Sequence, residues 1–250
     1  MSSRLLRLLS SALQYIKVDI VSGSWTGLNG LDRRLLAVIQ PKPGGFYVEL
    51  GANDGIAQSN TYKLQKAYHW NGLLIEPSPA KFGECVRNRS FGNRPFFSCC
   101  ACVSEAYSLP FVEIEDSNLM SVCKGLEVSD QDASDHADLG SQFLGDQRLR
   151  IRYGALARTL TSVLAEASAP FEFDLLSLDV EGNELAVLRG LDFSIYKPKW
   201  ILVELRMQMS AANSLEDFLI ENGYFRYGVL SANERYDDVL FKSSPSVAST

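Results

Sequence analysis

The sequence has few of the residues that build disulfide frameworks and zinc sites. Among its 250 residues there are five cysteines and two histidines. The cysteine count is odd, and three of the thiols crowd into one short apolar run, at Cys99, Cys100 and Cys102. Secreted disulfide scaffolds use even numbers of spaced cysteines, and zinc sites commonly draw on histidine as well as cysteine. We therefore predict thiols that are buried in strands, and no structural metal.

A long apolar run is also absent. Arg7 interrupts the apolar residues of the N-terminal segment, so no stretch there approaches the ~20 residues of a membrane span. The run is also too short for the core of a signal peptide. We expect an amphipathic N-terminal helix, no stable membrane insertion and a cytoplasmic protein.

Basic clusters are missing as well. The formal net charge is −6 and the calculated pI is 5.1. Nucleic-acid binding needs Lys and Arg to neutralise phosphates, so nucleic acid is not an expected partner. An acidic chain is better suited to a small or neutral substrate, or to a cationic cofactor.

What is present is the pattern of one α/β domain. Short apolar strands alternate with helical segments, which is typical of a parallel sheet with helices on both faces. We predict strands at 46–50, 72–76, 95–103, 173–179, 200–205, 225–230 and 236–241. The helices between them are expected at 59–68, 80–90, 159–167, 183–191 and 214–222. The predicted fold is Rossmann-like, with a mostly parallel seven-stranded sheet whose last two strands form an antiparallel edge.

The boundaries follow from breakers and composition. A Pro/Gly cluster at 41–45 ends an N-terminal helical extension, which is placed at 1–44. The main domain is expected at 45–242. It includes a hairpin within 107–124 and a polar, acidic insertion at about 126–147. Residues 243–250 are expected to be a frayed tail.

Carboxylates follow several of the predicted parallel strands. Glu49, Glu76, Asp179, Glu181 and Glu204 all lie at or just after a strand end. In a doubly wound sheet these ends meet at one edge, where ligands bind. Clustered carboxylates repel one another, so a purely structural sheet has little use for them. This edge is therefore the predicted site.

The loop after the first strand resembles a nucleotide-binding turn but departs from the dinucleotide fingerprint. Gly51 and Gly55 allow the backbone to turn and to approach a ligand. Asn53 stands where the fingerprint has its second glycine, and Asp54 adds a negative charge where phosphates would lie. The charge favours a cationic cofactor such as S-adenosylmethionine over NAD. Glu76, which ends the second strand, is placed to accept hydrogen bonds from both ribose hydroxyls.

Two blocks of sequence carry a family resemblance. The first comprises FYVELGANDG at 46–55, SNTY at 59–62 and GLLIEP at 72–77, and the second comprises DLLSLDVEGNE at 174–184 and LRGL at 188–191. Together they resemble the FkbM-like methyltransferase family, from about residue 45 to the last strands. The resemblance implies a class I methyltransferase fold and S-adenosyl-L-methionine as cofactor. It also implies methyl transfer to a hydroxyl of a sugar, glycan or small-molecule natural product.

The resemblance also assigns residues to the cofactor. Those expected to border its methionine part are Glu49, Gly51, Asn53, Asp54 and Gly55. Glu76 would hold the ribose, Pro77 and Ser78 would lie beside the adenosine, and residues 101–103, with Cys102 among them, would line the adenine.

Other polar residues remain open between two interpretations. Asn60 and Thr61 stand at the start of the predicted first helix, where they could contact the cofactor or cap that helix. His69 precedes the second strand and is expected at the opposite end of the sheet. His136 lies in the acidic insertion, where it is either a solvated loop residue or a base carried by a loop that folds over the site.

Methyl transfer to a hydroxyl requires alignment of the reacting atoms and removal of a proton. Asp179 is the first candidate for this work, because its strand is expected beside the strand of the glycine loop. Glu181 is the second candidate. Asp179 could instead orient the acceptor, or bind a divalent cation together with Glu181 or Glu204.

The leading function is therefore an O-methyltransferase. One alternative is a non-catalytic S-adenosylmethionine-binding or scaffold domain, and the complete set of glycine loop, Glu76 and second block argues against it. Another is a nicotinamide-dependent oxidoreductase, which the acidic loop disfavours.

Overall fold

The structure is a computed structural model, and it describes residues 25–116, 121–123, 126, 151–206 and 211–245. Three expectations fall wholly or mainly outside these residues. They concern the start of the N-terminal helix at 1–24, the acidic insertion beyond Leu126 together with His136, and the tail from 246 onward.

Strands and helices alternate along most of the described chain. The strands are β1 (Phe46–Leu50), β2 (Asn71–Ile75), β3 (Phe96–Ser98), β4 (Ala101–Val103), β5 (Phe111–Asp116), β6 (Ser121–Cys123), β7 (Ile151–Thr159), β8 (Glu172–Leu178), β9 (Lys197–Arg206), β10 (Tyr224–Ala232) and β11 (Tyr236–Ser243). The helices are α1 (Leu31–Ile39), α2 (Tyr62–Tyr68), α3 (Pro79–Arg89), α4 (Leu160–Glu166), α5 (Glu184–Leu188) and α6 (Ala211–Glu221). A short 3₁₀ turn at Leu28–Gly30 leads into α1.

The predicted seven-stranded sheet is confirmed. Its strand order is β10-β11-β9-β8-β1-β2-β3, with parallel pairing from β9 to β3 and antiparallel pairing of β11 with both β9 and β10. The chain runs outward from β1 to β3 and then returns to β8 on the other side of β1. The strand order therefore reverses between β1 and β8, and this switch point is where doubly wound sheets bind ligands.

Both faces of this sheet are covered, because alternate side chains of each strand point to opposite faces. Val48 and Leu176 belong to one core cluster, which includes side chains of α4, α5 and α6. Tyr47 and Leu175 belong to a second cluster, which includes side chains of α1, α2 and α3. The core is thus built in three layers, with α1, α2 and α3 on the face that also carries Glu49.

One predicted strand is wrong in detail. The apolar run at 95–103 does not form a single strand, because the chain bends at Cys99 and Cys100 and changes sheets. β3 before the bend pairs with β2, whereas β4 after it pairs with β7. A continuous apolar run indicates a strand that is buried on both faces, but it does not indicate which strand pairs with it.

The second sheet was not anticipated. It has four strands in the order β4-β7-β5-β6, and its buried face contributes Ala101, Val112, Ile114 and Ala155 to a third core cluster. The expected hairpin in 107–124 is confirmed as the antiparallel pair β5 and β6. The other partner of β5 is β7, which sequence reasoning did not identify as a strand.

The described helices are all short. None of them is both long enough and apolar enough to span a membrane.

Two glycine substitutions test the packing in opposite directions. Gly83 lies within α3, and a Cβ there would come no closer than 3.7 Å to a neighbour, the Arg87 Nη1 atom. Gly83→Ala should therefore raise the free energy of unfolding by about 0.5–1 kcal/mol, as alanine does inside helices. A Cβ on Gly72 in β2 would lie 2.2 Å from the Tyr47 ring, so Gly72→Ala should lower that free energy by about 1–3 kcal/mol. Urea unfolding of both variants checks the pair, and a change of the same sign in both would contradict this packing.

Candidate active site

A cavity opens at the carboxyl ends of the central strands, between the two sheets. The β1 end contributes Leu50, Gly51 and Asn53, the β2 end contributes Ile75, Glu76 and Pro77, and the β8 end contributes Asp179, Val180, Glu181 and Asn183. The second sheet and the bend before it contribute Cys100, Ala101, Cys102 and Cys123, and the remaining lining residues are Ala57, Gln58 and Lys81. Seven of the expected site residues therefore meet in one cavity: Gly51, Asn53, Glu76, Pro77, Cys102, Asp179 and Glu181.

Gly51 sits where the chain leaves β1 and touches the neighbouring strand end. Its φ is +75°, in the region that favours glycine, and a Cβ there would lie 1.9 Å from the Asp179 carbonyl oxygen. The backbone of Asp179 in turn donates to the Leu50 carbonyl at 3.3 Å. The loops after β1 and β8 thus lie directly against each other, which places the Asp179 side chain beside the glycine loop.

Asn53 links this loop to β2. Its backbone N–H donates to Glu76 Oε2 at 2.8 Å. Its side-chain oxygen Oδ1 is buried and has no hydrogen-bond partner among the described residues. A buried amide oxygen without a partner is costly, so this atom is suited to a donor supplied by a ligand.

Asp54 and Gly55 do not line the cavity, and they stabilise the loop after β1 through contacts outside it. Asp54 Oδ1 accepts hydrogen bonds from the backbone N–H groups of Ile56 and Ala57 at 2.8 and 2.7 Å. Gly55 has φ +82°, and a Cβ there would lie 2.7 Å from the side chain of Arg89.

Below the loop lies a buried ion pair. Arg89, at the end of α3, is fully buried, and its Nη1 atom lies 3.6 Å from Glu49 Oε2. The guanidinium also donates to the Gly55 carbonyl at 2.9 Å, to the Tyr47 hydroxyl at 2.8 Å and to Gln65 Oε1 at 2.5 Å. Glu49 is therefore engaged with the underside of the loop and does not reach the cavity.

The rest of the Glu49 carboxylate holds the start of α2. It accepts from the Asn60 backbone N–H at 2.8 Å, from the Thr61 hydroxyl at 2.6 Å and from the Ser59 hydroxyl at 2.9 Å. Ser59 Oγ also accepts from the Tyr62 N–H at 3.1 Å, so Ser59 is the residue that satisfies the first turn of α2.

Neither Asn60 nor Thr61 lines the cavity. The Thr61 side chain makes no cap on α2, and the Asn60 side-chain amide donates to Ser177 Oγ at 3.4 Å. The Oδ1 atom of Asn60 is buried without a hydrogen-bond partner among the residues that the structure describes. His69 ends α2 at the amino end of β2, opposite to Glu76.

Arg89 was missed by sequence reasoning. The only signal was an arginine at the end of a predicted helix, and such residues are usually solvated. Its burial depends on Glu49 and on acceptors that lie far away in sequence, such as the Gly55 carbonyl at a separation of 34 residues and the Tyr47 hydroxyl at a separation of 42.

Glu76 follows β2 and is 5% exposed. Its carboxylate is held at both oxygens, since Oε2 accepts from the Asn53 N–H and Oε1 accepts from the Ser78 N–H at 2.9 Å. Burial raises the pKa of Glu76 to about 7, although the two backbone hydrogen bonds lower it in part. The side chain of Ser78 points away from the cavity, toward Asp116 at 3.2 Å.

Three carboxylates cluster near the end of β8, and two of them, Asp179 and Glu181, line the cavity. Oxygens of Asp179, Glu181 and Glu204 lie within 4.8 Å of one another, close enough to hold a cation. Arg206 pairs with Glu181 and lies 3.9 Å from Glu204 Oε1. Burial, followed by the charges of Glu181 and neighbouring carboxylates, raises the pKa of Asp179 well above its ordinary value. Burial and the Asp179 charge raise that of Glu204 to about 10.

Glu184 holds the loop after β8 through backbone hydrogen bonds. It is buried at the start of α5 and accepts from the backbone N–H groups of Val180 and Gly182, each at 3.1 Å. Glu181 lies between them with φ +60°, in the left-handed region that residues other than glycine seldom adopt.

The prediction of thiols buried in strands holds only in part, because Cys102 is buried in β4, whereas Cys85 lies in α3 and Cys99 and Cys100 lie at the bend between β3 and β4. All five cysteines are free, and Cys85, Cys100 and Cys102 are buried while Cys99 and Cys123 are partly buried.

Removing the Arg89 guanidinium tests whether the buried ion pair holds the loop. Arg89→Met removes the guanidinium and leaves the Glu49 carboxylate buried without its counter-charge. We expect the free energy of unfolding to fall by about 3–5 kcal/mol, as when one partner of a buried pair is removed. Adding Glu49→Gln to that variant removes the stranded charge and should restore part of the loss. Denaturant unfolding of the two single variants and the double variant checks this, and a double variant no more stable than Arg89→Met would contradict it.

Comparison with solved structures gives distant matches. A putative RNA methyltransferase from Pyrococcus horikoshii is 12% identical with a TM-score of 0.45, over 99% of this chain and 100% of that one. Magnesium protoporphyrin IX methyltransferase from Synechocystis PCC 6803, solved with bound SAH, is 12% identical with a TM-score of 0.43, over 87% and 81% of the two chains. The match to a mutant of MtNAS, at 12% identity and a TM-score of 0.39, spans 85% of this chain and 58% of that one.

Comparison with known sequences identifies the family. No curated protein matches the chain. Residues 49–226 match the model of the Methyltransferase FkbM domain, which covers the second sequence block, the first block from Glu49 onward, the cavity and most of the seven-stranded sheet. The chain therefore belongs to the FkbM methyltransferase family, and its cofactor is S-adenosylmethionine.

Proposed function

We propose that the protein is an O-methyltransferase that acts on a hydroxyl group of a glycan or small-molecule natural product. The observation that carries this proposal is the position of Asp179. Asp179 lines the cavity, the pKa of its carboxyl group is raised, and its backbone lies against the loop that follows β1. A base for hydroxyl methylation is needed at such a place.

The cavity offers acceptors that suit two parts of the cofactor. Asn53 Oδ1 offers a buried acceptor without a partner among the described residues, which suits the ammonium of the methionine part. Each oxygen of Glu76 receives one backbone hydrogen bond and retains acceptor capacity for a ribose hydroxyl. Pro77, after β2, and Cys102, in the second sheet, also line the cavity, and we place the adenosine beside them.

Three expected residues, Glu49, Asp54 and Gly55, act on the cofactor through the loop, together with Arg89, which sequence reasoning missed. Glu49 and Arg89 fix its underside, Asp54 fixes its turn, and Gly55 allows the close packing on Arg89. We propose that these residues bind the cofactor indirectly, by holding Gly51 and Asn53 against the cavity.

Bound S-adenosylmethionine supplies a methyl group that is activated by a positively charged sulfur. Asp179 accepts the proton of the acceptor hydroxyl as that oxygen attacks. A base works best when its pKa lies near the working pH, and the raised pKa of Asp179 moves it in that direction. The alignment of hydroxyl and methyl group inside the cavity supplies the remaining acceleration.

Glu181 and Glu204 set the charge around the base. Arg206 pairs with Glu181 directly, which leaves Asp179 as the stronger candidate for proton transfer. Burial and the Asp179 charge raise the pKa of Glu204 to about 10, so this carboxyl group is largely neutral at neutral pH.

Cofactor binding tests the role of Glu76. Glu76→Ala removes a charged acceptor, and hydrogen bonds to charged groups contribute about 1.5–3 kcal/mol, so affinity for S-adenosylhomocysteine should fall roughly tenfold to a hundredfold. Isothermal titration of the folded variant measures this. An unchanged affinity would remove Glu76 from the ribose site.

Binding should also depend on pH through the same group. The folded-state pKa of Glu76 is about 7, above the value of an unfolded glutamate, so its contribution to stability is fully present below pH ~4.5 and is lost as pH rises through 7. The ionised form accepts the ribose hydrogen bonds, so the dissociation constant for S-adenosylhomocysteine should decrease as pH rises through 7. Glu76→Gln should flatten this profile, and a profile that Glu76→Gln leaves unchanged would assign it to another group.

Turnover tests the role of Asp179. Asp179→Asn keeps the shape and removes the charge, so single-turnover methylation should slow by about 10²–10⁴-fold, while binding of S-adenosylhomocysteine changes much less. Acceptors are found by incubating panels of hydroxylated sugars and natural products with methyl-labelled cofactor. Glu181→Gln is the matched control and should lose much less rate. A large loss in Glu181→Gln with a normal rate in Asp179→Asn would transfer the role to Glu181.

A further inference from the structure

The second sheet is connected to the cofactor site through Ser78. This serine is 1% exposed, and it makes one hydrogen bond through its backbone and another through its side chain. Its backbone N–H donates to Glu76 Oε1 at 2.9 Å, and its hydroxyl donates to Asp116 Oδ2 at 3.2 Å. Asp116 is the last residue of β5, so one residue joins the end of β2 to a strand of the other sheet.

Asp116 is itself held from within its sheet. The Tyr153 hydroxyl, in β7, donates to the same Oδ2 atom at 3.4 Å. Tyr153 is paired in register with Ile114, two residues before Asp116. A chain of hydrogen bonds therefore runs from β7 through Asp116 and Ser78 to the carboxylate of Glu76.

Two charged side chains, those of Asp116 and Lys81, act on the Glu76 carboxylate. The negative charge of Asp116 raises the pKa of Glu76, and the positive charge of Lys81 in α3 lowers it. Burial and the two backbone donors act as well, and the thiols of Cys85, Cys99 and Cys123 are the other titratable groups that sense Glu76. Asp116 is thus the acidic neighbour that opposes ionisation of the ribose-binding group.

We propose that Asp116 is a positioning residue for the cofactor, which acts through Ser78 to hold the Glu76 carboxylate in the cavity, near its own carboxylate. The inference rests on the proposed contact between Glu76 and the ribose. It gives the second sheet a role in cofactor binding, although Asp116 does not line the cavity.

Two substitutions at Asp116 separate its two effects. Asp116→Asn keeps an oxygen acceptor for the Ser78 hydroxyl and removes only the charge. Asp116→Ala removes both. Lys81→Gln is the matched control of opposite sign, because it removes the neighbouring positive charge.

The first measurement uses the cofactor-free protein. The carboxyl carbon of Glu76 is followed by NMR in protein labelled with ¹³C-glutamate, and Glu76→Gln assigns its signal. The wild-type midpoint should lie near pH 7, should move to lower pH in Asp116→Asn, and should move to higher pH in Lys81→Gln. A merely structural role for Asp116 would not shift the midpoint in this way, and an unchanged midpoint in Asp116→Asn would overturn the proposal.

The second measurement is the dissociation constant of S-adenosylhomocysteine across pH. At about pH 6, Asp116→Asn should bind at least roughly twofold more tightly than wild type, because more of its Glu76 is ionised. At about pH 8.5, Asp116→Asn should match wild type. Asp116→Ala should bind roughly two- to tenfold more weakly there, because Ser78 has lost its acceptor.

These outcomes separate the inference from the proposed function. If Glu76→Ala weakens binding but Asp116→Ala binds like wild type at about pH 8.5, the positioning role fails and the ribose assignment stands. If Glu76→Ala leaves binding unchanged, the ribose assignment fails, and the role of Asp116 in cofactor binding fails with it.

Discussion

The buried pair of Arg89 and Glu49 is the interaction on which the site depends. An unpaired charge in that position would be strongly destabilising, so the two side chains are found together with a full set of hydrogen bonds. Together they hold the loop between β1 and α2 from below, through the Gly55 carbonyl and the Thr61 hydroxyl. The upper side of the loop then presents Gly51 and Asn53 to the cavity with little freedom to move. Preorganisation of this kind lets a ligand bind without a further ordering cost.

The same sheet edge concentrates negative charge in two places with different consequences. At the end of β2, Glu76 is held by two backbone donors and titrates near neutral pH, so it is able to recognise hydroxyl groups. At the end of β8, Asp179 shares a small volume with Glu181 and Glu204, and mutual repulsion and burial raise its pKa. The parallel topology explains this arrangement, because each strand ends at the same edge and can contribute one carboxylate. One carboxylate thus suits recognition and the other suits proton transfer, and the difference comes from their surroundings.

The sequence predicted the central sheet but not the second one. Strand β1 was predicted with its observed bounds, because a short apolar run followed by a glycine loop is a strong local signal. The bend at Cys99 and the strand β7 were missed, since a change of sheet depends on partners far along the chain. Residues of the cavity such as Gly51 and Glu76 could be found from their place at strand ends. Arg89 and Asp116 could not, because their environment is created only when distant elements pack together.

The central claim is that this cavity holds S-adenosylmethionine with its ribose at Glu76 and its methyl group toward Asp179. A crystal structure of the complex with S-adenosylhomocysteine tests it most directly. The account predicts both ribose hydroxyls at about 3 Å from the Glu76 carboxylate, the amino group at Asn53 Oδ1, and the sulfur facing Asp179. A complex in which the ribose lies away from Glu76, or the sulfur faces away from the Asp179 cluster, would contradict it.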